Sequence, residues 1–239
     1  MTSKPRQTLA LIDLAVDSGT QKPRIESALN RLDGLTLLEW SIRRLGESTL
    51  VDSVVVTGPA KYRSILNQSR LCHAKWIPSV LTTPAQRAAE IADSQNADWI
   101  VHVNPMCPFM DPALVDRLVA RGLSQSNCDF VGFVAPNSPN FSLHRLGLVA
   151  EMSSARGLTK LLTEGLTSDP LDVPQLMRLH SNQIRAHWIP LPAQLSTDSM
   201  KFLMETEEDW DRAGTYMEAL GQDLSWQSLA SVANRQKLA

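Results

Sequence analysis

Three kinds of side chain in this sequence could do chemistry: a carboxylate pair, a histidine and a cysteine. Asp209 and Asp211 have the D-x-D spacing of a divalent-cation site, but they lie in a predicted helix, where side chains two residues apart diverge. His102 lies on a predicted strand and could line a pocket or be a buried histidine with its hydrogen bonds satisfied. Cys107 could be a nucleophile, although no His or Lys partner for it is visible in the sequence.

The elements that must position these residues alternate between apolar runs and amphipathic segments. Strands are predicted at Thr8–Leu14, Ser53–Thr57, Asp98–Val103 and Asp129–Val134, with a brief one near Lys75–Ile77. Helices are predicted between them, at Leu38–Gly46, Lys61–Gln68, Pro84–Gln95 with Thr83 as N-cap, and from Pro112 with Asp111 as N-cap. This order predicts an α/β fold with a mostly parallel sheet and helices on both faces.

The pattern is looser beyond Ala135. Helices are predicted near Ser153–Glu164 and Pro174–His180, a strand at Ile184–Ile189 and a short strand at Phe202–Met204. Thr206 begins a capped helix with Asp209 at the capping-box position, and a last helix starts at Ser225. No repeat or linker interrupts the chain, so we expect a single domain over residues 1–239.

Bulk composition excludes several classes of protein. The net charge of −2, from 23 basic and 25 acidic residues, gives no basic excess for nucleic acid. No apolar stretch approaches the ~20 residues that a membrane span needs. Cys72, Cys107 and Cys128 lie far apart without zinc spacing, which predicts reduced thiols and a cytoplasmic protein.

Two segments carry a family resemblance. Leu32–Gly58 (LDGLTLLEWSIRRLGESTLVDSVVVTG) and Ala97–Val119 (ADWIVHVNPMCPFMDPALVDRLV) resemble motifs of the cytidylyltransferases, especially the spore-coat-polysaccharide type and the 3-deoxy-manno-octulosonate enzymes. Lys201–Leu220 and Gly147–Met152 are weaker matches. The resemblance, roughly Thr8 to Leu220 in order, implies a nucleotide-diphospho-sugar transferase fold of the GT-A, Rossmann-like kind. It also implies CTP and a sugar or sugar acid as partners, Mg²⁺ as cofactor and a possible homodimer.

The phosphate-binding loop implied by the resemblance is altered here. Family members carry a Gly-rich, basic loop after the first strand, which neutralises the triphosphate. The corresponding segment, Val16–Leu29, keeps Ser18 and Gly19 as nucleotide-binding candidates and a displaced Lys22 and Arg24 as catalytic candidates. Asp17 and Glu26 would repel phosphates, so a solvated surface loop is the alternative interpretation.

The two metal-binding carboxylates implied by the resemblance are altered as well. The Asp of the family's G-D-C-P turn falls on Met106, whose thioether suits a hard cation poorly. The second Asp falls on Glu205, which could ligate Mg²⁺ or be an exposed acid before a helix. These departures predict weak Mg²⁺ binding.

The carboxyl ends of parallel strands are where ligands bind in such sheets. We therefore expect a cleft lined by the loops at Leu14–Arg24, Gly58–Lys61 and Asn104–Cys107, with Glu205 nearby. Leu14, Gly58, Asn104 and Met106 complete the set of nucleotide-binding candidates.

Two functions follow from these residues. One is a divergent nucleotidyltransferase for cell-surface polysaccharide synthesis, with a relocated metal site using Glu205 and Asp13 or Asp17. The other is a non-catalytic relative that keeps the fold to bind a nucleotide or a partner.

Overall fold

The structure is a computed structural model, and it describes residues 6–15, 24–63, 74–135, 143–167, 171–196 and 200–236. A seven-stranded sheet in the order β5-β4-β1-β6-β8-β7-β9 forms its centre. The strands of this sheet are β1 (Thr8–Asp13), β4 (Ser53–Gly58), β5 (Ala74–Pro78), β6 (Trp99–Val103), β7 (Phe130–Val134), β8 (Glu151–Ser154) and β9 (Ala186–Pro190). Two further short strands, β2 (Arg31–Leu32) and β3 (Leu35–Thr36), pair with each other in a separate hairpin.

Nine α-helices of the described residues surround the sheet. They are α1 (Arg24–Ala28), α2 (Leu37–Gly46), α3 (Pro84–Ser94), α4 (Pro112–Ser124), α5 (Leu143–Leu146), α6 (Ala155–Thr163), α7 (Val173–Leu179), α8 (Glu207–Leu220) and α9 (Trp226–Gln236). Short 3₁₀ turns lie at Ala60–Tyr62 and Ala193–Leu195.

The sheet is mostly parallel, as predicted. β1 pairs in parallel with β4 and β6, β4 with β5, and β7 with β9. Within this sheet, β8 is the one described strand that runs antiparallel to its neighbours, between β6 and β7. Because β8 is reversed, its first residue, Glu151, lies opposite His102 near the carboxyl end of β6.

The apolar residues of β1 explain why helices cover both faces. Ala10 and Ile12 belong to one core cluster, which α2, α4, α8 and α9 complete. Leu9 and Leu11 belong to a second cluster, completed by α3, α6 and α7. Successive side chains of a strand point to opposite faces, so an uninterrupted apolar strand must be covered on both.

Three predicted helix starts are confirmed by their caps. Thr83 caps α3 in a capping box with Gln86, and Asp111 caps α4. The box between Thr206 and Asp209 begins α8.

Two predictions about elements are wrong, and a third falls mostly outside the described residues. Phe202–Met204 is not a strand: its backbone bonds singly to Leu146 and Met106, without forming a ladder. Ser153 and Ser154, predicted to start a helix, instead end β8, and the helix begins at Ala155. Of the predicted helix Lys61–Gln68, the structure describes residues 61–63, which lie in the 3₁₀ turn and at a helical position directly after it, and residues 64–68 lie outside the described part of the chain.

Candidate functional site

A cavity of about 310 Å³ opens at the carboxyl edge of the sheet. The carboxyl ends of β1 and β6, the start of β8, and the first turns of α3 and α7 surround it. We call it the edge cavity. Its charged and amide-bearing wall includes Asp13, His102, Asn104, Glu151, Asp172 and Arg178.

Glu151 and Arg178 form an ion pair in the wall of the edge cavity. Arg178 also donates to the Phe133 carbonyl at 2.7 Å, and its guanidinium lies 4.9 Å from the centre of the Trp188 ring. Burial raises the pKa of Glu151, and Arg178 offsets part of that rise. A Cβ at Gly132 would lie 2.5 Å from the Glu151 carboxylate, so this approach requires glycine there.

His102 lies beside this pair, facing the edge cavity. Its Nε2 is 2.7 Å from the hydroxyl of Ser153, a fully buried residue of β8. Burial lowers the pKa of His102 to about 3, so the ring is neutral at physiological pH. The prediction that His102 could line a pocket is confirmed, and its half-buried ring has a hydrogen-bond partner in Ser153.

Asp13 ends β1 and is held by Arg87 of α3. The Asp13 carboxylate accepts bonds at 2.8 and 2.7 Å from Arg87 and at 2.9 Å from the Ala15 backbone N–H. Arg87 also donates to the carbonyls of Leu81 and Thr82. These bonds fix the Asp13 carboxylate in an ion pair with Arg87, and its part in a relocated metal site stays a prediction.

The structure brings Leu14 and Gly58 together. The Leu14 N–H donates to the Thr57 carbonyl at 2.8 Å, and a Cβ at Gly58 would lie 3.4 Å from the Leu14 Cβ. Leu14 is fully buried, so its side chain belongs to the core. Its nucleotide-binding role, and that of Gly58, stay predictions.

Asn104, Met106 and Glu205 also lie near one another. The Asn104 side chain accepts from the Met106 N–H at 3.0 Å, and the Met106 carbonyl accepts from Met204, the neighbour of Glu205, at 3.0 Å. We call residues 104–110 the motif turn. Of the nucleotide-binding candidates, Asn104 is among the described residues that line the edge cavity, together with the other sequence candidates Asp13, His102 and Cys107.

The remaining predicted site residues receive no side-chain description. Ser18, Gly19 and Lys22 lie outside the described residues. Arg24 is the first residue of α1, and only its backbone is described. The phosphate-binding role of this segment therefore stays a prediction.

Two aspartates close to the motif turn in sequence or space, Asp111 and Asp209, hold the ends of helices. Asp111 accepts from the N–H groups of Leu114 at 3.0 Å and Trp226 at 2.8 Å, so one side chain caps α4 and contacts the start of α9. Burial alone would raise the pKa of Asp209, but hydrogen bonds from Lys201, Thr206 and Glu205 outweigh it and the pKa is lowered. The D-x-D interpretation of Asp209 and Asp211 is therefore not supported.

Glu205 is the remaining acid at this edge. Its side chain is 49% exposed and lies 3.6 Å from the Lys201 ammonium group. Met106 brings no charge, and among the described residues no group of three His, Cys, Asp or Glu side chains could hold a metal ion. The weak Mg²⁺ binding expected from Met106 and Glu205 stays a prediction.

The sequence reasoning missed Glu151, Asp172 and Arg178 as site residues. One signal was available: Glu151 is an acid inside the apolar segment GLVAEM. Buried ionisable residues in clefts are enriched at functional sites.

Solved structures place this fold among the nucleotidyltransferases. A cytidylyltransferase from Leptospira borgpetersenii serovar Hardjo-bovis has a TM-score of 0.75 at 18% identity, covering 97% of this chain and 94% of that one. A CMP:2-keto-3-deoxy-manno-octonic acid synthetase complexed with CTP has a TM-score of 0.64 at 13% identity, covering 89% and 99%.

The synthase of 4-diphosphocytidyl-2C-methyl-D-erythritol from Anaerococcus prevotii has a TM-score of 0.60 at 12% identity, covering 89% and 96%. No protein-family model matches the sequence, and no curated protein matches it. The fold predicted from the resemblance to cytidylyltransferases is thus confirmed. Within the described residues, no helix is long and apolar enough to cross a membrane.

Proposed function

We propose that this protein binds CTP and a sugar at the carboxyl edge of its sheet and is a divergent nucleotidyltransferase of cell-surface polysaccharide synthesis. The observation that carries the proposal is the edge cavity at the ends of β1 and β6, in a fold whose solved neighbours include an enzyme complexed with CTP. Ligands of open α/β sheets bind at this edge.

In this proposal the sugar oxygen attacks the α-phosphorus of CTP and pyrophosphate leaves. Lys22 and Arg24 would neutralise the phosphates, while the backbone of Ser18 and Gly19 would approach them. Leu14, Gly58 and Asn104 would hold the nucleotide near the motif turn. The sugar would occupy the edge cavity, where the neutral ring of His102 can hydrogen bond to a hydroxyl group.

Mg²⁺ enters this proposal only as a weakly bound ion. Glu205 is the single carboxylate of the family's metal positions, and Mg²⁺ commonly uses one or two carboxylates together with substrate phosphates. We therefore expect weak Mg²⁺ binding without nucleotide and slow transfer. A homodimer and a cytoplasmic location are proposed from the resemblance and from the cysteine spacing.

A second candidate is a non-catalytic relative that binds nucleotide or a partner. Met106 favours it, because a neutral side chain replaces a carboxylate that the chemistry uses. Asp17 and Glu26 add negative charge to the phosphate-binding segment, which also favours this candidate.

Thermal unfolding with CTP, UTP and no nucleotide, each with Mg²⁺, tests the binding step. CTP at 100 times its dissociation constant should stabilise the protein by about 2.7 kcal/mol. The absence of any stabilisation by CTP would refute the CTP-dependent enzyme and would leave, of the second candidate, the relative that does not bind CTP. Pyrophosphate release then separates them: slow release that Glu205→Ala abolishes supports the enzyme, and fast release insensitive to that change would show that the site is misplaced.

A further inference from the structure

The edge cavity differs chemically from a site for an acidic sugar. Its described lining includes three carboxylates, those of Asp13, Glu151 and Asp172, and one guanidinium, that of Arg178. Its volume of about 310 Å³ is at the small end of ligand pockets, which span roughly 300–1,000 Å³. A pocket of this size suits one small ligand, such as a monosaccharide.

The cations at the edge cavity are already engaged. Arg178 pairs with Glu151, donates to the Phe133 carbonyl and stacks on Trp188. Arg87, behind the wall, is bound to Asp13 and to two backbone carbonyls. Among the side chains that the structure describes, no lining cation is left to receive a carboxylate from a ligand.

Open acceptors lie on the same wall. One Glu151 oxygen accepts from Arg178, and the other has no described hydrogen-bond partner. One Asp172 oxygen accepts from the Gln175 N–H at 2.9 Å as the cap of α7, and its other oxygen is also without a described partner. The negative charge of Asp172 acts on Glu151, which places the two carboxylates within electrostatic reach of each other.

Neutral groups complete the recess. The Asn104 side-chain oxygen accepts from Met106, and its amide N–H groups have no hydrogen-bond partner among the described residues. One ring nitrogen of His102 bonds Ser153, which leaves the other without a described partner. Val103, Val149 and Ala150 provide apolar surface. A sugar matches such a wall, because its hydroxyl groups can bond to the polar side chains while its carbon ring contacts the apolar ones.

We propose that the edge cavity selects an amino sugar, with its protonated amine between Glu151 and Asp172, and rejects sugar acids. A metal ion is the less suitable cation, because no described group of three ligating side chains converges there. An ammonium group instead needs only acceptors, which both carboxylates offer. The inference rests on the proposed function and names the substrate class of its sugar position.

Calorimetry of the wild-type protein with D-glucosamine, D-glucose and D-glucuronate tests this inference, with and without CTP–Mg²⁺. These probes share a ring and differ in charge. We expect glucosamine to bind at least tenfold more tightly than glucose, since hydrogen bonds to charged groups are the stronger ones. Glucuronate should bind more weakly than glucose.

Three variants locate the preference. Asp172→Asn keeps an N-cap residue and should reduce the preference for glucosamine about tenfold. Glu151→Gln removes the partner of Arg178 and should improve glucuronate binding at the expense of glucosamine. Glu218→Gln, an exposed acid of α8, is the matched control and should change neither.

Equal binding of glucuronate and glucosamine by the wild type would overturn the inference, as would failure of glucosamine to bind up to its solubility limit. A preference unchanged in both cavity variants would overturn it too. The arms without nucleotide separate it from the proposed function: amino-sugar selectivity without any CTP binding would refute the function and leave the sugar site standing.

Discussion

The edge cavity and the motif turn lie along the same edge of the sheet but hold charge in opposite ways. In the cavity, Glu151 and Arg178 are largely buried and bound to each other, with side chains 14% and 31% exposed. At the motif turn, Met106 is neutral and Glu205 is half exposed beside Lys201. Removing a charge from the cavity pair should therefore destabilise the fold, whereas removing the charge of Glu205 should not.

The largest expected effect breaks the charge pair of the cavity. Arg178→Met leaves the Glu151 carboxylate buried without its partner, and losing one member of such a pair costs about 3 kcal/mol of unfolding free energy. Urea denaturation measures it. Glu164→Gln, which removes the half-exposed acid of the pair with Lys160, should cost under about 0.5 kcal/mol. Equal losses in the two variants would contradict the structural role of the cavity pair.

A pH effect in the cavity comes next. The pKa of His102 is lowered from 6.5 to about 3 by burial, so between these values the unfolded chain binds more protons than the folded one. Its contribution to stability is complete above pH 6.5 and is lost as the pH falls towards 3. The slope cannot exceed about 1.4 kcal/mol per pH unit.

Replacing the titrating ring isolates that contribution. His102→Gln keeps a side chain that can bond Ser153 but cannot titrate in this range. Denaturation at several pH values should show a stability difference, wild type minus variant, that declines from pH 6.5 towards pH 3. A difference independent of pH would mean that the histidine is accessible and titrates normally when folded.

At the motif turn, restoring a charge should add binding and leave the fold intact. Met106→Asp places a carboxylate near Glu205, and we expect Mg²⁺–CTP to bind about tenfold more tightly. Calorimetry measures the change, and Met106→Asn controls for size without charge. Equal gains in the Asp and Asn variants would show that the effect is steric.

The smallest expected effect concerns Glu205. Glu205→Gln removes an exposed charge and should change the unfolding free energy by no more than about 0.5 kcal/mol. Thermal unfolding of the protein without ligands measures it. A loss well above that value would mean that Glu205 supports the fold, which would remove the contrast between the two regions.

The sequence predicted correctly those strands and helix starts that depend on residues close together in the chain. β1, β4, β6 and β7 are apolar runs, and the capping residues Thr83 and Asp111 mark helix starts through bonds within three residues. The hairpin of β2 and β3 was missed, although Asp33 and Gly34 have the positive φ angles of its two-residue turn and Asp-Gly is a strong hairpin signal.

The features that the sequence did not predict depend on contacts between residues far apart in the chain. Phe202 and Met204 are buried apolar residues, which fits a strand, yet each makes one backbone bond to a different segment. The Glu151–Arg178 pair joins β8 to α7 because β8 is inserted in reverse between β6 and β7. The spacing of apolar residues does not show where a strand is inserted in a sheet. The position of β8, and with it the cavity wall, could therefore not be predicted from the sequence.

Asp111 has a consequence for how the molecule opens. Its two carboxylate oxygens hold N–H groups at the first turns of α4 and α9, which lie more than a hundred residues apart in sequence. Fraying of either helix start would leave that carboxylate buried with one oxygen unmatched. The amide protons of both first turns should therefore exchange with solvent as one cooperative unit, and fluctuations of the C-terminal helix should reach the motif turn.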